Sequence, residues 1–186
     1  AGKTLTAHVD TMGELPLLET LPAGGKIVIV GSKPEYGITE WELANGVKVV
    51  LKPTTFKEDE IVFRAFSPGG TSLASDADYI PASTAATAVS AGGVGKLSAI
   101  DLGNLLAGKA VTVSPFIGEL EEGLSGTASP KDLETMFQLI YLRCTAPRAD
   151  PTVFANTAAR QKAMLANAKA TPSYAFSEAL QTTLSQ

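Results

Sequence analysis

The chain has 186 residues, of which 45% are apolar and 18% charged, and a net charge of −4. That is enough for one large domain, or one domain with a tail. It offers no basic footprint for nucleic acid or an anionic membrane surface, and no apolar run approaches the roughly 20 residues of a membrane span.

The single cysteine, Cys144, excludes an internal disulfide, and the single histidine, His8, argues against a self-contained zinc site. The sequence opens at Ala1, without Met and without a signal peptide, and reads as a piece processed or excised from something longer.

Residues 1–38 read as a lead-in, punctuated by Pro16, Pro22 and Gly24-Gly25, with one strand at Lys26–Val30 that can dock at a sheet edge. From Thr39 the pattern sharpens. Glu40–Leu43 alternates, Asn45-Gly46 follows, and Val47–Lys52 is a second strand-like run. Asn-Gly between two such runs predicts a hairpin with a type I′ turn. After a charged turn at Lys57–Glu60, Ile61–Phe66 reads as a third strand, so three consecutive antiparallel strands are expected.

The next stretch, Asp78 to Gly95, is the one around which the chain is organised. Between Tyr79 and Ala91 nearly every side chain is small. Pro81 suits a first helical turn, and Gly92-Gly93 provide the stop. So little side-chain bulk lets other backbone come close, which predicts a central helix packed tightly on a sheet. From Tyr79 to Ile100 there is no His, Glu or Cys and no Asp, so this helix carries no acid–base or metal chemistry of its own.

Leu97–Leu106 predicts a second helix, and Val111–Ile117 a strand whose Pro115 belongs at an edge or bulge. Glu122–Ala128 is its antiparallel partner. Ser129 as N-cap and Pro130 at the first position open a helix with Leu133, Met136, Phe137, Ile140 and Tyr141 as its apolar stripe. Helices over Pro151 to about Lys169, and from Thr171-Pro172 onward, complete the order ββ-β-α-α-β-β-α-α-α. The class is α+β, an antiparallel sheet with helices on one face.

Three stretches carry a resemblance: Trp41–Thr54, Asp59–Leu73, and Val113–Phe154 with its Gly126-Thr127-Ala128-Ser129-Pro130-Lys131-Asp132-Leu133 approach to a helix. Their order resembles the pitrilysin/insulinase family of zinc metallopeptidases, over roughly Thr39 to Gln186. Catalytic members carry H-x-x-E-H on the central helix; here Ser83-Thr84-Ala85-Ala86-Thr87-Ala88 stands there, so no catalytic or metal residue carries over.

The resemblance therefore implies the non-catalytic half, its first domain spanning 39–186, with 1–38 as an inter-domain linker. It implies zinc in the parent's other half and none here. It implies as partners the catalytic half of the same polypeptide and a peptide or unfolded-protein substrate. It also implies a periplasmic or otherwise exported setting. Arg64, on an apolar strand, is the candidate chamber-lining residue.

Two alternatives remain. The fold can serve as a structural or assembly module without peptidase activity. Gly92–Lys96 also resembles a phosphate loop, but Ser90 and Leu97 stand where the Walker pattern needs Gly and Ser/Thr, and the loop leaves a helix rather than a strand. A helix-ending Gly turn is the better reading. Glu119, Glu121 and Glu122 read as a solvated turn before a weak cation site, Cys144 as a buried thiol, and Trp41 as core or a domain contact.

Overall fold

The structure, a computed structural model, describes residues 16–184. Strands β1 (Ile27–Lys33), β2 (Ile38–Leu43) and β3 (Lys48–Leu51) form one antiparallel sheet in that order. Strands β4 (Ile61–Pro68), β5 (Val111–Ile117) and β6 (Glu121–Ala128) form a second, ordered β4-β6-β5. The helices are α1 (Tyr79–Gly92), α2 (Ala99–Leu105), α3 (Leu133–Thr145), α4 (Pro151–Lys169) and α5 (Pro172–Leu184). Antiparallel sheets, with helices packed on the second of them, are the α+β class expected from the sequence.

The strand partners differ from the expectation. The hairpin's third strand is the lead-in strand β1, which pairs along β2 from Ile27↔Leu43 to Lys33↔Ile38. The strand at Ile61 leaves that run and pairs with β6, from Ile61↔Ala128 to Pro68↔Glu121. Nine residues, including Pro53, separate β3 from β4, more than a hairpin loop commonly holds. Pairing with β6 also puts Ile61 and Phe63 on the side of the buried Leu124 and Ala128.

The hairpin turn differs as well. Gly46 alone takes a left-handed φ, +84°, and no non-glycine residue among those described has a positive φ. The Gly46 N–H donates to the Leu43 carbonyl and the Leu43 N–H to the Val47 carbonyl. Ala44-Asn45-Gly46 is thus a three-residue loop ending in a left-handed Gly, not a type I′ turn. Asn45 contributes its side chain instead, accepting the Val47 N–H.

The core is built from β5, β6 and α3, with Val94 and Leu102 closing one end: Val111, Val113, Leu124, Ala128, Met136, Leu139 and Leu142 are all buried. The apolar stripe of α3 is rotated from the expected one. Leu139 and Leu142 are buried beside Met136, whereas Phe137 and Tyr141 are exposed. Helix α1 packs on β5 and α4 but buries only Gly92. Its small side chains cover little area, so the bulk of α3 claims the centre instead.

Helix starts follow local chemistry. Ser98 accepts the Asp101 N–H while Asp101 accepts the Ser98 N–H, a complete capping box for α2. Asp150 accepts the N–H groups of Thr152 and Val153 ahead of Pro151 in α4. At α3, Ser129 precedes a short 3-10 turn, Pro130–Asp132, and its hydroxyl donates to the Asp132 carboxylate instead of accepting a backbone N–H.

Candidate functional site

No metal chemistry is built into the described residues. Helix α1 has no ligand type at any position of the catalytic motif, and no group of three or more His, Cys, Asp or Glu among the described residues is placed to hold an ion. His8 lies outside the described residues. The described residues therefore do not fit a zinc ion.

The acidic cluster is split by strand alternation. Glu121 and Glu122 open β6 and point to opposite faces. Glu122 accepts the Gly70 N–H at 2.7 Å and fixes the Gly69-Gly70 turn after β4. Glu121 pairs instead with Arg64 on the other face.

The Gly-rich loop after α1 has spent its donors internally. The Val94 N–H goes to the Leu97 carbonyl, Gly95 to Ala146, Leu97 to Val94, and Ser98 to the Asp101 carboxylate. A phosphate cradle needs such N–H groups free and convergent. Lys96 reaches away to Glu19, at 3.0 Å. Beneath the loop, the Arg143 guanidinium is held below its ordinary pKa by burial, and its Nη1 donates to the Gly93 carbonyl at 3.4 Å. The loop serves packing, against β-bridges at Val94 with Leu97 and Pro147.

The second sheet has one covered face and one open face. On the covered face Val111, Val113, Leu124 and Ala128 meet the helices. Register places Val62, Arg64 and Phe66 of β4 on the open face, beside Thr127, Ser125 and Gly123 of β6 and Thr112, Ser114 and Phe116 of β5.

Arg64 is thus where the sequence put it, on a strand, but its surroundings come from three strands. Its guanidinium lies 4.9 Å from the Phe116 ring centroid and 5.9 Å from that of Phe66, and it hydrogen-bonds Glu121. Sequence reasoning missed Phe66, Phe116 and Gly123 as its neighbours. The period-2 alternation was visible; the register that aligns the strands was not.

The other singled-out residues stand apart from this face. Trp41 is half-buried on the first sheet between Val30 and Val49. Cys144 is exposed on α3, not buried as expected. The cleft of about 750 Å³ near Lys57, Lys109 and Lys131 also carries Asp59 and Glu60, and its charges do not converge on one sign. No helix among the described residues is long and apolar enough to cross a membrane.

No protein-family model matches the chain. Over 66 residues it is 41% identical to a protein of Arabidopsis thaliana named "Zinc protease PQQL-like", a match spanning 36% of this chain and 7% of that one. Over 106 residues it is 28% identical to "Probable zinc protease PqqL" of Haemophilus influenzae, spanning 57% of this chain and 11% of that one.

Among solved structures it is similar to the periplasmic protease PqqL from Escherichia coli, with a TM-score of 0.80 and 26% identity over 97% of this chain and 20% of that one. The fold is also that of the ferredoxin protease FusC, solved as a point mutant in complex with Arabidopsis ferredoxin, at a TM-score of 0.75 and 23% identity over 96% of this chain and 20% of that one. The chain spans about a tenth of the curated relatives it matches and a fifth of the solved ones.

Proposed function

As a pitrilysin/insulinase-family metallopeptidase segment, the chain, we propose, is the non-catalytic domain of a longer zinc-dependent peptidase. Its work is shape: residues 39–186 help enclose a substrate chamber, and residues 1–38 lead into the domain, with β1 docked on β2. Zinc and its ligands belong to another part of the parent polypeptide, which is the domain's first partner. The observation that carries this reading is a fold match over 97% of the chain in which α1 offers no metal ligand.

The open face of the β4-β6-β5 sheet is the surface that meets substrate, a peptide or unfolded protein. It supplies the hydroxyls of Thr112, Ser114, Ser125 and Thr127, two Phe rings and the Arg64–Glu121 pair. Such a mix of apolar contact and hydrogen bonding suits an extended polypeptide. An exported, periplasmic setting is supported by the periplasmic relative from Escherichia coli.

The test is made in the parent polypeptide, assayed on a protein substrate. Ser114→Lys together with Ser125→Lys, on the open face, should raise KM several-fold and leave kcat near the wild-type value. Unchanged KM rejects the face as a substrate surface. If the module instead serves assembly alone, the same variant changes the sedimentation coefficient and not KM.

A further inference from the structure

On the open face one row reads Phe66–Gly123–Phe116, straight across three strands. The middle member has no side chain. A Cβ at Gly123 would run into the Ala65 carbonyl and the Phe66 backbone, so the strands approach here in a way that only Gly accommodates. The result is a slot with an aromatic ring on each side and backbone as its floor. Two residues along β6, on the same face, stands the Glu121 carboxylate.

Two aromatic faces and a carboxylate at one end are the recognition chemistry of an organic cation. The slot does hold one. Arg64 starts one row away, opposite Ser125, passes the Phe66–Gly123–Phe116 row and reaches Glu121. Its guanidinium lies within cation–π range of both rings. Yet the pair is open to solvent, with 56% of the Arg64 side chain and 38% of the Glu121 side chain exposed. An ion pair this exposed contributes little to stability.

We propose that Phe66, Gly123, Phe116 and Glu121 form a subsite for a basic side chain, Lys or Arg, of a polypeptide lying on this face, and that Arg64 fills it as a displaceable plug in the free protein. This rests on the reading of the open face as a polypeptide-binding surface. It goes further by naming the side-chain class preferred there, and it reverses the role of Arg64: the residue competes with the ligand instead of gripping it.

The test uses the metal-chelated parent polypeptide, so that peptides bind without cleavage, and fluorescence anisotropy with two otherwise identical unstructured peptides, one with a central Arg and one with norleucine. Arg64→Ala, and independently Arg64→Thr, should tighten the Arg peptide by roughly tenfold while moving the norleucine peptide little, because the slot and Glu121 become free. Glu121→Gln should abolish most of the preference. Weaker binding of the Arg peptide by both Arg64 variants, or an unchanged Arg-to-norleucine ratio with both peptides still binding, overturns the subsite alone. Failure of both peptides to bind the wild-type protein overturns the polypeptide-binding face itself, and the subsite with it.

Discussion

The carboxylate of Asp132 accepts the backbone N–H of Ala110 at 2.9 Å, across 22 residues of sequence. The same oxygen accepts the Ser129 hydroxyl at 2.6 Å. One side chain thus ties the start of α3 to the entrance of β5. This explains why the sequence places Asp three residues after Ser129, ahead of the helix.

The Ser129 hydroxyl, and next the Ala110 N–H, hold the Asp132 carboxyl below its ordinary pKa. Asp150 is held low too, first by the Val153 N–H and then by Arg148. A depressed folded pKa stabilises the fold above the unfolded value, and the gain is lost as pH falls through the folded one. Melting temperature should therefore drop as pH is taken below about 4, the ordinary Asp range. Asp132→Asn and Asp150→Asn should each lower the melting temperature at pH 7 and flatten part of that acid slope. Melts followed by circular dichroism across pH check both; parallel slopes for variant and wild type refute the assignment.

Met136 is the most deeply buried side chain of α3, while its neighbour Phe137 is exposed. Met136→Ala should cost about 2–5 kcal/mol in urea unfolding. Phe137→Ala, read within the same stripe from the sequence, should cost within about 0.5 kcal/mol if that face meets solvent. Equal costs would mean the rotation of α3 is not the one described.

Gly93 sits at φ +93°, where an added Cβ would meet the Leu97 carbonyl. Gly93→Ala should destabilise by at least about 1–2 kcal/mol. Lys96→Ala, at a side chain 90% exposed, should change stability by no more than about 0.5 kcal/mol. Calorimetric titration with MgATP should give flat heats for the wild-type chain; saturable heats lost in Lys96→Ala would restore the phosphate-loop reading.

Zinc supplies a direct check on the domain's proposed role. Metal analysis of the purified chain, after dialysis against micromolar zinc, should find far less than one ion per molecule. A stoichiometric ion would place a metal site in this segment and remove the non-catalytic reading.

Most of the element order was legible along the chain because its signals are local. Pro151 opens α4, Ser129-Pro130 open the turn into α3, Gly92-Gly93 end α1, and Asn45-Gly46 mark the hairpin. The absence of metal-ligand residue types in α1 is likewise a fact of sequence alone. Tertiary structure decided the pairings. Strand β4 could continue the hairpin or join β6, and burial beside Leu124 and Ala128 chose β6, a contact far along the chain that no local pattern encodes. That choice also made the candidate site: Phe66, Gly123 and Phe116 come from three strands, and only their register lines them up beneath the reach of Arg64. Side-chain alternation follows from the backbone of each strand by itself, whereas register depends on which distant strand buries its apolar face best.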